Sequence, residues 1–257
     1  MGVVNITPDS FSDGGKFFST ESAIARSRQL VEEGAAILDI GAESTRPGSQ
    51  PVSEQEELTR LLPVLQAVRD LGIPVSVDTR RPGVMCAVLA EGASMINDIE
   101  ALAAPGALEA VAGSNCGICL MHMKGDPATM QVDPRYDDVV GEVSAFLAER
   151  IAAALAAGID RARITIDPGF GFGKTVSHNL ELLRRLRSLS ALGVPVLAGL
   201  SRKSTLGRLI GRPDGDRTVA SVAAALLAAQ RGATILRVHD VGATRDALAV
   251  WRAVEGG

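Results

Sequence analysis

The sequence predicts an α/β protein of the (β/α)8 barrel class, a TIM barrel, and three observations predict it. Eight short apolar runs alternate with helical stretches from one end of the chain to the other. The length, 257 residues, is that of one such barrel. The apolar runs are continuous rather than alternating, which is the mark of parallel strands covered on both faces. An open doubly wound sheet is the alternative; the length and the evenness of the repeat favour closure.

The strands are expected at residues 2–5, 36–40, 74–78, 94–97, 117–121, 163–167, 195–198 and 234–237. The first lies at the very N-terminus, as it would in a chain lacking a natural N-terminal segment. Helices are expected at residues 22–34, 53–71 and 141–158, among others. In the last of these Val143, Phe146, Leu147, Ile151 and Leu155 keep helical spacing on one face. Gly34, Gly72, Gly92, Gly158, Gly193 and Gly232 each follow a helix where a left-handed cap belongs. One domain, residues 1–257, accounts for the whole pattern.

Composition narrows the function. Hydrophobic residues make up 46% and aromatics 3%, so the core must be aliphatic and rich in alanine. A net charge of -4 argues against a nucleic-acid binder held by its global field. There is no apolar run of about 18 residues and no leader-like start, so a cytoplasmic protein without a membrane span is expected. Three cysteines suit a reducing compartment. Cys116, Cys119 and His122 have a metal-like spacing, but on a strand Cys116 and His122 share one face and Cys119 takes the other.

Residues at the strand ends carry the functional argument, since a barrel of this kind works at the carboxyl ends of its strands. Those ends read Asn5, Glu43, Asp78, Asn97, His122, Asp167, Ser201 with Lys203, and Arg237 with His239. Asp78, Asn97, Asp167 and Lys203 suit a neutral heterocycle with an amide edge. Asn5, Arg46, Arg237 and His239 suit a phosphate group, and the Asn5 carboxamide oxygen suits Mg2+, which keeps waters and phosphate oxygens as its other ligands. Asp167 opens the run Asp167-Pro-Gly-Phe-Gly-Phe-Gly-Lys174. This is not a Walker A loop, because the required first glycine is Pro168, and its glycine spacing is not the dinucleotide one. Two loops, residues 7–15 with Asp13 and Phe11 and residues 44–48 with Thr45, Arg46 and Pro47, read as mobile, water-excluding lids.

These motifs, taken together and in order, resemble dihydropteroate synthases. The resemblance rests on residues 1–15, 39–48, 76–79, 97–99, 167–174, 199–204 and 237–239, and runs from residue 1 to about 250. It implies a pterin-binding barrel that joins 6-hydroxymethyl-7,8-dihydropterin diphosphate to 4-aminobenzoate with Mg2+. Asp78, Asn97, Asp167 and Lys203 would bind the pterin, near Phe172 and the Gly171 backbone. Asn5, Arg237 and His239 would bind the diphosphate, with Mg2+ at Asn5. Thr45, Arg46, Pro47, Ser201 and Lys203 would shape the arylamine pocket, together with Asp13 and Phe11. Asp78, Asp167, Lys203, Arg237 and His239 are the expected catalytic set, His239 as a charge that stabilises the leaving group. The resemblance also implies a homodimer and a sulfonamide target.

Each residue has a plainer reading. Asp78 and Asp167 are also what helix caps look like, Lys203 what a solvated surface charge looks like, and Arg46 what a partner of Glu43 looks like. His122 reads as orienting a strand-end hydrogen bond and His178 as a solvated helix start. Glu54, Glu56 and Glu57 read as an exposed first helical turn that suits the helix dipole. Two rival functions share the pterin acids. A pterin-binding methyltransferase domain would lack the second loop and the Ser201/Lys203 pair in this form. A non-catalytic pterin-binding barrel would have lost Asn5, Arg46 or Arg237.

Overall fold

The structure, a computed structural model, describes residues 1–6, 16–44 and 51–255. Strands and helices alternate through it: β1 (Gly2–Asn5), α1 (Lys16–Glu32), β2 (Leu38–Gly41), α2 (Glu54–Val68), β3 (Val75–Asp78), α3 (Pro82–Ala90), β4 (Met95–Asp98) and α4 (Ala107–Ala112). There follow β5 (Gly117–Met121), α5 (Val139–Ala156), β6 (Ile164–Asp167), α6 (Val176–Arg184), β7 (Leu197–Ala198), α7 (Ser204–Leu209), α8 (Thr218–Gln230), β8 (Ile235–Leu236) and α9 (Val241–Glu255).

The first six strands pair in chain order, all parallel, and β7 pairs with β8. Two single bridges join these sheets into a closed ring: Ile166 with Val196 between β6 and β7, and Gly2 with Val238 after β8. At the second seam Val3 N donates to Val238 O at 3.0 Å, and Val238 N donates to Met1 O at 3.0 Å. The barrel is closed, as the length and the repeat predict.

Closure divides the apolar residues into two cores. Between sheet and helices lies the larger, aliphatic one, with Leu38, Ile40, Leu65, Ile96, Ile118, Leu120 and Ile166 fully buried. Inside the barrel lies a small second cluster of Met95, Cys119 and Leu197, flanked by Met1 and Ile235. Side chains alternate along each strand, so residues two positions further on point into the same interior at its carboxyl end. Met95 therefore predicts Asn97, Leu197 predicts Gly199, and Ile235 predicts Arg237 as residues of the mouth. Cys119 faces inward while Cys116 packs in the outer layer.

The helices follow from local chemistry. Ser53 caps α2 by accepting from Glu56 N, and Leu61, Val64, Leu65 and Val68 form its buried seam. Asp138 caps α5 by accepting from Val140 N, and Val143, Leu147 and Ile151 are buried as expected. Leu155, assigned to that seam from spacing, is instead exposed. Thr175 and His178 form a reciprocal capping box at α6, so His178 has a structural bond and is not merely solvated. The six glycines expected at helix ends all adopt positive φ. Among the described residues no helix is long and apolar enough to cross a membrane.

Candidate functional site

The carboxyl-end mouth is organised by Arg237, which follows β8. Its guanidinium reaches across the interior to Asp39 Oδ2 of β2 at 2.6 Å and to Asp78 Oδ2 of β3 at 2.8 Å. Asn97 Nδ2 of β4 adds a longer 3.4 Å contact to Asp39. Burial works against the Arg237 charge, but Asp39 and Asp78 outweigh it and hold the guanidinium charged. The Asp78 side chain keeps 23% exposure at the rim. Burial still pushes its carboxyl up to about 7, aided by Asp39 and Asp98 and opposed by Arg237.

Asp167 closes the other side. It ends β6, is 5% exposed, and accepts from Gly169 N at 2.7 Å. The helix-cap reading of Asp167 is corrected: Thr175 caps α6, and Asp167 binds its own glycine turn instead, through Oδ1 alone. Burial raises its pKa above the usual carboxylate range, while Gly169 N–H, Lys203, Arg237 and Lys174 pull it back.

Glycines stand close beside these groups. A Cβ on Gly199 would stand 3.8 Å from Asp167 Oδ2 and 3.9 Å from Arg237 Cβ. On Gly41 it would lie 3.2 Å from Asp78 Cβ, and on Gly171 it would lie 3.2 Å from Lys203 Cδ. A side chain at any of the three would therefore press on a polar group of the mouth.

Lys203 Nζ sits 4.1 Å above the Phe172 ring, a cation–π contact that presents the ammonium beside the glycine turn. The turn before Lys203 is held in a strained form, with Arg202 at φ 57. Such a residue costs roughly 1 kcal/mol or more. Arg202 N donates to Ser221 Oγ at 2.9 Å, its carbonyl accepts from Arg217 Nη1 at 3.1 Å, and its guanidinium pairs with Asp240 at 2.6 Å. This geometry puts buried Ser201 against His239: Ser201 Oγ accepts from His239 N at 3.1 Å and lies 3.0 Å from His239 Nδ1. The hydroxyl has a donor and a second lone pair left, so it can pair with Nδ1 in either imidazole tautomer. Burial, then Arg202 and Arg237, lower His239 to about 4. The expected positive charge is therefore corrected: near neutrality His239 is a neutral imidazole. Desolvation and two nearby guanidiniums are the reason.

Asn5 ends β1 in register with Gly41, which is in register with Asp78. Asp13, Phe11, Thr45, Arg46 and Pro47 lie outside the described residues. The stems of the second loop are described. Arg81 bonds Glu43 Oε2 at 2.7 Å, Val52 O at 2.5 Å, and the Glu57 carboxylate. This overturns the reading of Glu57 as an exposed first-turn acid, since it is fully buried. Its position on the inner face of α2, opposite Arg81, decides its environment. Glu43 pairs with Arg80 and Arg81.

Asp39, Lys174, Asn179 and Arg81 were not singled out by the sequence reading. Asp39 carried a signal, an acid in the middle of a strand that is apolar on both sides. A cavity of about 640 Å3 opens beside His239, lined by Arg26, Arg202, Thr218 and Asp240 among others. None of Asp78, Asn97, Asp167 and Lys203 lines it.

Comparisons with known proteins bear on the family and the fold. A family model described as "Pterin binding enzyme" matches residues 1–239. The dihydropteroate synthase of Haemophilus influenzae is 50% identical over 254 residues, covering 98% of this chain and 92% of the relative. The solved dihydropteroate synthase of Xanthomonas albilineans with 4-aminobenzoic acid superposes with a TM-score of 0.94 at 57% identity, covering 100% of this chain and 93% of that one. The same organism's enzyme in complex with 7,8-dihydropteroate gives 0.91 at 55% identity, again covering 100% and 93%.

One substitution tests the turn beside Asp167. Gly169 has φ 68, and a Cβ there would lie 1.9 Å from His122 O, a backbone atom. Gly169→Ala is expected to lower stability by at least about 1–3 kcal/mol, read as a fall in Tm against wild type.

Proposed function

Because the chain belongs to the family of pterin-binding enzymes, and within it to the dihydropteroate synthases, we propose that its mouth joins 6-hydroxymethyl-7,8-dihydropterin diphosphate to 4-aminobenzoate. The products are 7,8-dihydropteroate and diphosphate. The observation that carries this reading is the arrangement of Arg237. One cation bridges two acids at the rim of a glycine-lined space, with Asn97 beside them and Asp167 and Lys203 across from them. Such a space takes a flat ring with N–H donors on one side and an anion on the other.

The residues divide the work by charge. Asp167 and Asp78 accept from the N–H edge of the pterin, and Asn97 and Lys203 meet its remaining polar atoms. Breaking the C–O bond leaves negative charge on the diphosphate and positive charge on the pterin methylene. Arg237 faces the first as a fixed charge, and the His239 N–H adds a hydrogen bond. The buried carboxylates, bonded to the ring, favour the second. The arylamine is weakly basic and loses its proton readily once bonded, so no side chain is assigned as its base. Thr45, Arg46, Pro47, Ser201 and Lys203, with Asp13 and Phe11 of the first loop, complete the arylamine pocket.

Mg2+ belongs to this reading through Asn5. Among the described residues there is no cluster of three or more His, Cys, Asp or Glu that suits a metal. The donor set fits a cation held by one carboxamide oxygen and chiefly by diphosphate oxygens and water. When bound, it supplies charge neutralisation at the leaving diphosphate. Exposed Val219 and Leu227 on α8 support a homodimer.

Release of diphosphate from the dihydropterin diphosphate, with Mg2+, should depend on 4-aminobenzoate and yield dihydropteroate. Arg46→Ala should raise the KM for 4-aminobenzoate by about tenfold or more, the cost of a lost charge-assisted bond. Diphosphate release that ignores the arylamine would contradict the reading. A pH dependence follows from Asp78. Its ionised form is the one that accepts pterin N–H bonds, and it titrates at about 7 in the free protein. Pterin affinity should therefore rise as pH increases through about 7 and level off above, as read by fluorescence titration.

A further inference from the structure

Lys174 ends the glycine turn and has no part in the mechanism above, yet it is one of the most buried charges in the protein, 3% exposed. Its Nζ donates to Gly169 O at 3.0 Å, to Phe172 O at 3.0 Å, and to His122 Nδ1 at 2.9 Å. His122 O lies further off at 3.4 Å. An ammonium has three donors, and the three short contacts use them all. None of the acceptors is a carboxylate. A buried cation without a bonded counter-ion is expensive, and burial lowers Lys174 to about 7. Asp167 from β6 opposes that shift, while Lys203, ahead of α7, and Lys124, beyond β5, add to it.

The contacts bind two segments together. Gly169 and Phe172 bound the turn that follows Asp167, and His122 is the first residue after β5. The segments touch backbone to backbone: a Cβ on Gly173 would lie 2.3 Å from Lys124 O, and the equivalent clash at Gly169 is with His122 O. His122 is locked as well, its ring edge-on to Phe146 at 5.0 Å. Because Nδ1 accepts from Lys174, the imidazole is neutral, in line with a His122 value lowered to about 3 by burial and then by Lys174. A second buried side chain works from the other side of the turn. Asn179 accepts from Gly171 N at 2.7 Å and donates to Thr205 Oγ1 at 3.2 Å, the second residue of the helix that follows Lys203.

What the turn displays is the ligand-facing side. Phe172 carries the ring beneath Lys203 Nζ, and Gly169 N fixes the Asp167 carboxylate. Phe170, between them, is buried in the outer core. With both its end carbonyls pulled onto one buried ammonium, the turn has a single way to present Phe172 and Asp167.

We propose that Lys174 is a positioning residue of the pterin half of the site, acting through the Gly169–Phe172 carbonyls to set Asp167 and Phe172. The proposal rests on the pterin reading of the mouth. It separates Lys174 from a merely structural lysine, because its effect is confined to one substrate.

The test uses the full chain with Lys174→Met and Lys174→Gln, the second keeping two amide donors. The probes are 6-hydroxymethylpterin, titrated by fluorescence, and the KM of each substrate, all measured below the melting transition of the variant. Lys174→Met is expected to weaken pterin binding and raise the KM for the pterin diphosphate by about tenfold or more. The KM for 4-aminobenzoate should stay within about twofold, and Lys174→Gln should fall between Met and wild type. A folded Lys174→Met protein that binds the pterin like wild type would overturn the proposal, as would equal losses for both substrates. Failure of both variants to fold would assign Lys174 to stability alone. If wild type itself does not bind the pterin, the reading of the mouth fails first and takes this one with it.

Discussion

The bond of Arg237 to Asp39 and Asp78 is the constraint on which the mouth depends. It connects the last strand to the second and third across the barrel interior, where each charge has lost most of its water. Three such groups are tolerable only as a set, since removing one leaves the others desolvated without a partner. The set fixes the position of a cation that an anionic leaving group needs. It also leaves Asp78 partly open at the rim, where a ligand N–H can compete for it.

Closure of the sheet makes that set possible. Only a ring brings β8 beside β1 and thus Arg237 opposite β2 and β3, and the two seams are narrow, a single bridge each. The interior is too small for a large core and holds Met95, Cys119 and Leu197. Above that layer the inward positions are polar or glycine, apart from Met121 of β5. A stable floor and a polar mouth are two parts of one strand register.

Much of this was legible in the sequence, for a physical reason. In a parallel barrel each strand carboxyl end arrives at the same rim, so Asn5, Asp78, Asn97, Asp167 and Arg237 could be grouped without knowing any distance. Charge states and inner partners were less legible. His239 looked like a charge, but its neighbours are two guanidiniums. Glu57 looked like a solvent-facing acid at a helix start, but its face of α2 turns to Arg81. Asp39 sits within a strand and not at its end, so a reading of strand ends passed over it. Lys174 was seen only as a mismatch to a phosphate loop, because the acceptors that hold it are backbone carbonyls, which a sequence does not display.

A double-mutant cycle on Arg237→Met and Asp39→Asn, read by denaturant unfolding, tests the central claim most directly. Arg237→Met alone should cost about 3–5 kcal/mol, because it leaves two carboxylates unpaired in the interior. Adding Asp39→Asn should recover part of that loss, giving a coupling of about 1–3 kcal/mol. Effects that add to within about 0.5 kcal/mol would mean that the two groups stabilise the barrel independently, and would contradict the account.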